Sequence, residues 1–363
     1  MKIIIAAGGT GGHLYPALAL AKYIEEQVKD VEFLFVGTID RLESKVVPQM
    51  GYKYIGLHVK GLVGNPLKKA YAGAIFVKSI FTAKKIIKKF KPDIVLGFGG
   101  YPSASVVKAA SSLKIKTLTH EQNSIVGLTN RILLKEVDKV VCCYQKAYEV
   151  LPKEKTYLYG NPRASVVVNS RATDIFSKYH LDRNKKLVVI VMGSLGSKSI
   201  NDAMIEALQA FQNKEYTILY VTGKPYYQEV MNQLGEVTNT IKVVPYIDDM
   251  PSVLANTSLV VSRAGASTLA EITALGVPAI LIPSPYVAAN HQEYNASELV
   301  NKEAAMMILE KDLQANDLVT KVDTILTNPM LIESMKKNAL SLGKPNACKD
   351  MYQLIQEMLG DKL

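Results

Sequence analysis

Residues 2–13 read KIIIAAGGTGGH, an apolar run followed by four glycines within six residues. The apolar run is typical of a buried parallel strand, and glycines at this density predict a tight turn where the backbone can approach a ligand closely. Residues 14–28 have helical spacing, with Pro16 in the first turn, where proline is tolerated. Strand, glycine loop and helix together predict a site for an anionic ligand, because exposed N–H groups and the positive end of a helix dipole meet there.

The spacing of this loop disfavours a nicotinamide dinucleotide. The dinucleotide fingerprint needs a third glycine three residues after the second, and a carboxylate at the end of the next strand. Leu14 occupies the third glycine position here, and the predicted strand 31–36 ends in Gly37 and Thr38. His13 closes the loop. It could cap its own helix turn, but the four neighbouring glycines favour a catalytic or ligand-binding role.

Length and composition predict two domains of ordinary size. The chain has 363 residues, and 48% hydrophobic residues suffice for full globular cores. Its three cysteines have no metal or disulfide spacing, which fits a reducing cytoplasm. We expect no signal peptide, because the chain starts directly with a core strand, and no apolar run approaches the ~20 residues of a spanning helix.

The positive charge is concentrated in one segment. Residues 44–92 contain eleven lysines and no acidic residue, so this segment has a net charge of +11. The whole chain has a net charge of +10, so the remaining residues sum to −1. Within the helix predicted over 71–90, Val77 and Phe81 share the lysine-rich face, a composition typical of a membrane-contacting helix. A solvated helix with two stray apolar residues remains the alternative. Nucleic acid is disfavoured as a partner, since arginines and stacking aromatics are not interleaved with the lysines.

The strand-to-glycine-loop pattern recurs along the chain. Residues 93–101 repeat it, the strand 116–119 ends in His-Glu-Gln-Asn, and the strand 187–192 leads into a third glycine loop and a helix over 200–211. The pattern predicts two similar α/β domains joined near 163–185. The further predicted strands cover 52–59, 137–143, 157–160, 216–221, 242–244, 259–262 and 279–282, and a final amphipathic helix covers 349–359.

Residues 260–271 read VVSRAGASTLAE and carry the most specific pattern. Small residues and a serine–threonine pair stand at a predicted helix N-terminus, with Glu271 one turn inside. Exposed N–H groups there can hold a diphosphate, and the carboxylate can accept both hydroxyls of a ribose. A simple capping box made by Ser267 or Thr268 with Glu271 is the alternative.

Together these motifs resemble the MurG family of bacterial UDP-N-acetylglucosamine transferases. They run in the family's order over nearly the whole chain, at residues 8–13, 99–101, 120–123, 160–163, 247–250, 262–271, 292 and 295–296. The resemblance implies an α/β GT-B fold, with two Rossmann-like doubly wound domains facing across a cleft. It implies an acceptor and membrane-associated domain over 1–162, with the helix 346–360 packing back on it, and a donor-binding domain over 163–345.

The resemblance also implies the reaction. N-acetylglucosamine would pass with inversion from UDP-GlcNAc to the C4 hydroxyl of undecaprenyl-diphosphate-linked MurNAc-pentapeptide (lipid I), giving lipid II for peptidoglycan. The enzyme would work peripherally on the anionic cytoplasmic face of the cell membrane. A related transferase acting on another lipid, such as diacylglycerol, is the alternative. No cofactor or metal is expected, because the chain has no Asp-x-Asp sequence.

The resemblance further implies residue roles. His13 is the expected general base, since an unperturbed pKa near ~6.5 suits proton transfer, and Glu121 would orient or replace it. The donor would contact Thr10, Gly11, Gly12, Asn123, Arg163, Ser194, Ile247, Ala266, Ser267, Thr268, Leu269, Ala270, Glu271 and Gln292. The acceptor diphosphate would meet Gly99, Gly100 and Tyr101, and the membrane would meet Val77, Lys78, Phe81, Lys85 and Lys89. The chain departs from the family at Leu195, where glutamine is usual, and at residues 102–105.

Overall fold

The computed structural model describes residues 1–61, 65–170, 173–193 and 196–360, and the side chains of residues 66–69 are not described. Contacts between residues divide the chain into two compact units. The first contains Met1–Arg163 together with the chain from Asn346 onward, and the second contains Ala164–Pro345.

The first unit is a parallel sheet of seven strands with helices on both faces, in the strand order β3-β2-β1-β4-β5-β6-β7. Its described strands are β1 Lys2–Ala6, β2 Glu32–Thr38, β3 Lys53–Leu57, β4 Ile94–Gly97, β5 Lys116–Glu121, β6 Lys139–Cys142 and β7 Thr156–Tyr157. Its described helices are α1 Gly11–Gln27, α2 Glu43–Gln49, α3 Pro66–Phe90, α4 Gly100–Ser112, α5 Leu128–Leu133, α6 Gln145–Val150 and, at the end of the chain, α16 Ala347–Leu359.

The apolar strand β1 explains how this sheet is covered. Ile3 and Ile5 pack into one core with helices α1 and α16, while Ile4 and Ala6 pack into a second core with α3 and α4. A strand with helices on both sides needs apolar residues at every position, which is why β1 is a continuous run. The final helix α16 contributes Met351, Leu354 and Ile355 to the first of these cores.

The second unit is a parallel sheet of six strands in the order β10-β9-β8-β11-β12-β13. Its described strands are β8 Leu187–Val191, β9 Thr217–Val221, β10 Ile241–Val244, β11 Leu259–Ser262, β12 Ala279–Leu281 and β13 Ala305–Met307. Helix α7 Pro162–Asn169 begins at the end of the first unit. It is followed by α8 Ile175–Tyr179, α9 Lys198–Ala210, α10 Tyr227–Leu234, α11 Met250–Ala255, α12 Ala266–Leu275, α13 His291–Val300, α14 Ala315–Leu326 and α15 Pro329–Leu342.

Both sheets confirm the predicted doubly wound α/β class. In each, strand order reverses beside the first strand, at β1–β4 and at β8–β11, and ligands bind at the carboxyl ends of strands at such a reversal. Three predicted boundaries were clearly wrong. Helix α1 begins at Gly11, before the predicted 14, so Pro16 lies inside the helix and not in its first turn. Helix α3 begins at Pro66, before the predicted 71, and the strand predicted over 157–160 is only Thr156–Tyr157. Gly160 has φ +84°, which ends the extended conformation there.

Within the described residues, no helix combines the length and the apolar character needed to cross a bilayer.

Candidate active site

Two glycine loops lie against each other at the carboxyl ends of β1 and β4. Gly99 and Gly100 have φ values of +100° and +80°. A Cβ on Gly99 would lie 2.7 Å from Cδ2 and 2.9 Å from Nε2 of His13, and one on Gly100 would overlap the carbonyl oxygen of Gly8. Only glycine fits both positions, because each combines a positive φ with a close neighbour, the His13 ring at Gly99 and the Gly8 backbone at Gly100. The second loop therefore forms one wall beside the His13 ring.

His13 is held in one tautomer by the first glycine loop. Its Nδ1 lies 2.8 Å from the carbonyl oxygen of Gly8 and 3.3 Å from Oγ1 of Thr10. A carbonyl oxygen can only accept a hydrogen bond, so Nδ1 carries the proton. In the neutral ring Nε2 then carries the lone pair. The residue is partly exposed, and Nε2 is the proton acceptor of the ring in this tautomer.

The Glu121 carboxylate at the end of β5 is buried and organises the loop that follows it. It accepts hydrogen bonds from the N–H of Asn123 at 3.0 Å, the N–H of Gly127 at 2.7 Å and Nδ2 of Asn130 at 2.8 Å. Only 2% of the residue is exposed. These three donors tie the carboxylate to the 121–130 loop, which positions Asn123.

His120, the neighbouring histidine, is completely buried. Nε2–H donates to the carbonyl oxygen of Gly160 at 2.9 Å, and the ring packs on Phe98 with 5.2 Å between centroids. Burial lowers the pKa of His120 to about 4, so the ring is neutral at physiological pH. A histidine enclosed in this way supports the sheet and has no route to a substrate proton.

The predicted acceptor residues Gly99, Gly100 and Tyr101 lie in the first unit. The first unit also contains five predicted donor residues: Thr10, Gly11, Gly12, Asn123 and Arg163. Tyr101 is partly exposed in the first turn of α4. Thr10 is exposed in the first glycine loop, and Gly12 is exposed in the first turn of α1. The backbone N–H of Arg163 donates to Oδ1 of Asn161 at 3.0 Å.

A pocket of about 490 Å³ opens at the carboxyl ends of β8, β9 and β11 in the second unit. Its volume falls within the ~300–1,000 Å³ of small-molecule sites. Four predicted donor residues line it together: Ile247, Thr268, Glu271 and Gln292. The first turns of α12 hold the other predicted phosphate-binding positions, Ala266, Ser267, Leu269 and Ala270. Ser194 and Leu195 lie outside the described residues.

The side chains of Gln292 and Glu271 both line this pocket; the first is held in one orientation and the second is largely buried. The backbone N–H of Ser284 donates to Oε1 of Gln292 at 2.9 Å. Because that oxygen is held, the NH₂ group is oriented as a hydrogen-bond donor in the pocket. Glu271 lines the same pocket with only 6% of the residue exposed, so it offers an acceptor in a largely desolvated position.

Arg263 lies within the motif 260–271, and the sequence predicts no role for it. The guanidinium lines the pocket, forms a buried ion pair of 2.6 Å with Glu310, and donates to the carbonyl oxygens of Ile282 and Pro283 at 3.1 and 3.3 Å. Nη2 also donates to Oγ of Ser197 at 3.0 Å. These contacts bind the loop after β8 to the end of β12. The available signal was an arginine placed directly after strand β11.

Two doubly wound parallel units, one with a histidine just after a glycine loop and one with a nucleotide-sized pocket, are the architecture of the GT-B class. Residues 3–142 match the N-terminal domain of glycosyltransferase family 28, and residues 187–354 match its C-terminal domain. The chain belongs to glycosyltransferase family 28.

Relatives and a solved structure agree with this assignment. The chain is 44% identical to the UDP-N-acetylglucosamine–N-acetylmuramyl-(pentapeptide) pyrophosphoryl-undecaprenol N-acetylglucosamine transferase of Bacillus cytotoxicus, over 99% of this chain and 100% of the relative. It is 42% identical to the enzyme of the same name from Halalkalibacterium halodurans, over 99% of both chains. The crystal structure of Acinetobacter baumannii MurG superimposes with a TM-score of 0.80 at 27% identity, covering 98% of this chain and 99% of that one.

Proposed function

We propose that this enzyme transfers N-acetylglucosamine from UDP-GlcNAc to the MurNAc C4 hydroxyl of lipid I, forming lipid II for peptidoglycan. The observation that carries the proposal is the 44% identity over essentially the full length of both chains to a transferase named for this reaction. Two features support the proposal: a pocket in the second unit with room for a nucleotide-sugar, and a His13 ring whose Nδ1 carries the proton.

The donor would occupy the pocket of the second unit. The ribose hydroxyls would donate to Glu271, and the uracil would meet the backbone at Ile247. The diphosphate would lie against the N-terminus of α12, where unbonded N–H groups and the helix dipole favour negative charge. The NH₂ group of Gln292 would donate to the sugar, since its oxygen is already held by Ser284.

His13 would act as the general base. The acceptor hydroxyl oxygen attacks C1 of the sugar while the bond from C1 to the UDP oxygen breaks. The hydroxyl proton passes to Nε2 of His13, and UDP leaves with the bonding electron pair. The proton on Nδ1 supports this assignment, because it leaves the Nε2 lone pair for the acceptor. Glu121, with three hydrogen bonds already accepted, would order the loop that carries Asn123.

Charge developing on the leaving diphosphate would be stabilised by fixed protein dipoles. The N–H groups in the first turn of α12 are preorganised for that purpose, and such preorganised donors contribute strongly to catalysis. A contribution from Arg163 remains a prediction.

Helix α3 would rest on an anionic membrane surface at the cytoplasmic face. Val77 and Phe81 are 52% and 61% exposed, and Lys78, Lys85 and Lys89 are exposed beside them. The opposite face of the helix packs into the core through Ile75, Ala83 and Ile87. Lysines near an anionic surface contribute on the order of 1 kcal/mol each, and burying one large apolar side chain adds about 1.5–3 kcal/mol.

The test is an acceptor comparison. Purified protein is incubated with UDP-GlcNAc and either a lipid I analogue, diacylglycerol in the same detergent, or no acceptor. UDP release and product mass are measured in parallel. We expect UDP release and a product heavier by one N-acetylglucosamine only with the lipid I analogue. Transfer to diacylglycerol, or none to lipid I, would refute the proposal.

A further inference from the structure

One peptide unit of the first glycine loop lies between a carboxylate and the His13 imidazole. The carbonyl oxygen of Gly8 accepts the hydrogen bond from Nδ1–H of His13 at 2.8 Å. The N–H of Gly9, on the other side of the same peptide bond, lies 3.2 Å from each carboxylate oxygen of Glu43. The order of contacts is therefore carboxylate, peptide N–H, peptide carbonyl and imidazole N–H.

Glu43 is firmly fixed in this arrangement. It is the first residue of α2 and only 1% exposed. Its Oε1 also accepts from the N–H of Thr38 at 3.0 Å and from the Thr38 hydroxyl at 2.8 Å. Each of these contacts is a hydrogen bond donated by an N–H or O–H group, and a buried carboxylate needs such donors to offset the loss of water.

Two glycines make room for this side chain. A Cβ on Gly37 would lie 2.5 Å from Cγ of Glu43, and one on Gly8 would lie 2.7 Å from its Oε1. The close approach of β1, β2 and α2 around one carboxylate is therefore possible only with glycine at both positions.

We propose that Glu43 is a positioning residue for His13. Its carboxylate orients the Gly8–Gly9 peptide and polarises it, which makes the Gly8 carbonyl a stronger acceptor, since hydrogen bonds in a chain reinforce one another. That carbonyl keeps the proton of the neutral imidazole on Nδ1 and presents the Nε2 lone pair. The catalytic consequence rests on the proposed function, whereas the choice of tautomer does not.

The first measurement is the tautomer of His13 in the unaltered protein, from ¹⁵N chemical shifts of its ring nitrogens where the ring is neutral. We expect the proton on Nδ1. In the Glu43→Gln variant, the amide oxygen can still accept from Thr38. The variant loses the carboxylate charge, and an NH₂ group replaces the second of the two oxygens that face the Gly9 N–H. We expect the Nε2–H tautomer to appear in this variant. We also expect kcat to fall roughly 10–100-fold, as when an outer partner of a functional histidine is lost, with KM for UDP-GlcNAc unchanged.

Asp138→Asn is the matched control. Oδ2 of Asp138 accepts from the N–H and the hydroxyl of Thr117 at 2.8 and 2.9 Å, the same donor pair that Thr38 presents to Glu43. It lies at the amino end of β6, away from the glycine loops. We expect the His13 tautomer and kcat to stay unchanged in this control.

Two results would overturn the inference. One is a proton on Nε2 in the unaltered protein, which decides the question even if Glu43→Gln fails to fold. The other is an unchanged tautomer in a folded Glu43→Gln protein. Absence of transfer by the unaltered protein, with the tautomer responding to Glu43→Gln, would refute the proposed function and leave the positioning role standing.

Discussion

Glu271 and Gln292 line the same pocket of the second unit, and we predict that substituting each one changes the binding of UDP and UDP-GlcNAc in a different pattern. Glu271→Ala removes a carboxylate that is 6% exposed and is proposed to accept both ribose hydroxyls. Hydrogen bonds to a charged group contribute about 1.5–3 kcal/mol each, and part of that is recovered when water refills the space. We expect a net loss of about 3 kcal/mol, or roughly 100-fold in Kd. UDP and UDP-GlcNAc should lose affinity equally, because both contain the ribose.

Gln292→Ala removes a neutral amide proposed to contact only the sugar. We expect a loss of about 1 kcal/mol, or roughly fivefold in Kd, for UDP-GlcNAc and none for UDP. Isothermal titration calorimetry with both ligands measures the two patterns. Glu293→Ala is the charge control, since its carboxylate contacts Asn290 and does not line the pocket. Equal losses for both ligands in Gln292→Ala, or a Glu271→Ala loss confined to UDP-GlcNAc, would refute the assigned contacts.

Three further predictions follow from the first unit. His13→Ala should lower single-turnover transfer roughly 10²–10⁴-fold without weakening UDP-GlcNAc binding; a rate within a few-fold of the unaltered enzyme would refute the base role of His13. Val77→Ser combined with Phe81→Ser should reduce sedimentation with anionic vesicles at every salt concentration while leaving its salt dependence intact. Unchanged binding would mean that this face of α3 is simply solvated. Burial lowers the pKa of His120 from 6.5 to about 4. As pH falls, the His120 ring is therefore protonated in the unfolded chain before it is protonated in the folded protein. Stability is then complete above about pH 6.5 and falls as pH drops towards 4, by about 2 kcal/mol at about pH 5. Urea unfolding should show this fall, and His120→Gln should show a correspondingly smaller one.

The sequence by itself determined the fold class, and its resemblance to a known family supplied the candidate site residues. Apolar runs such as residues 2–7 are long enough for strands buried on both faces, and the glycine loops after them mark strand ends. The period of residues 71–90 separated the buried face of α3 from the face carrying Val77 and Phe81. These features depend on neighbours a few positions apart, so local patterns are sufficient to predict them.

The contacts and the burial of the candidate site residues were decided only by the tertiary structure. The Glu43 carboxylate accepts from the N–H of Gly9, 34 positions away in the sequence. Arg263, just after β11, forms an ion pair with Glu310, just after β13. The glycine loop favours His13 in the sequence, but only packing shows that His13 is partly exposed while His120 is completely enclosed. Burial, pKa and tautomer depend on atoms that distant segments bring within hydrogen-bond distance, and no local pattern carries that information.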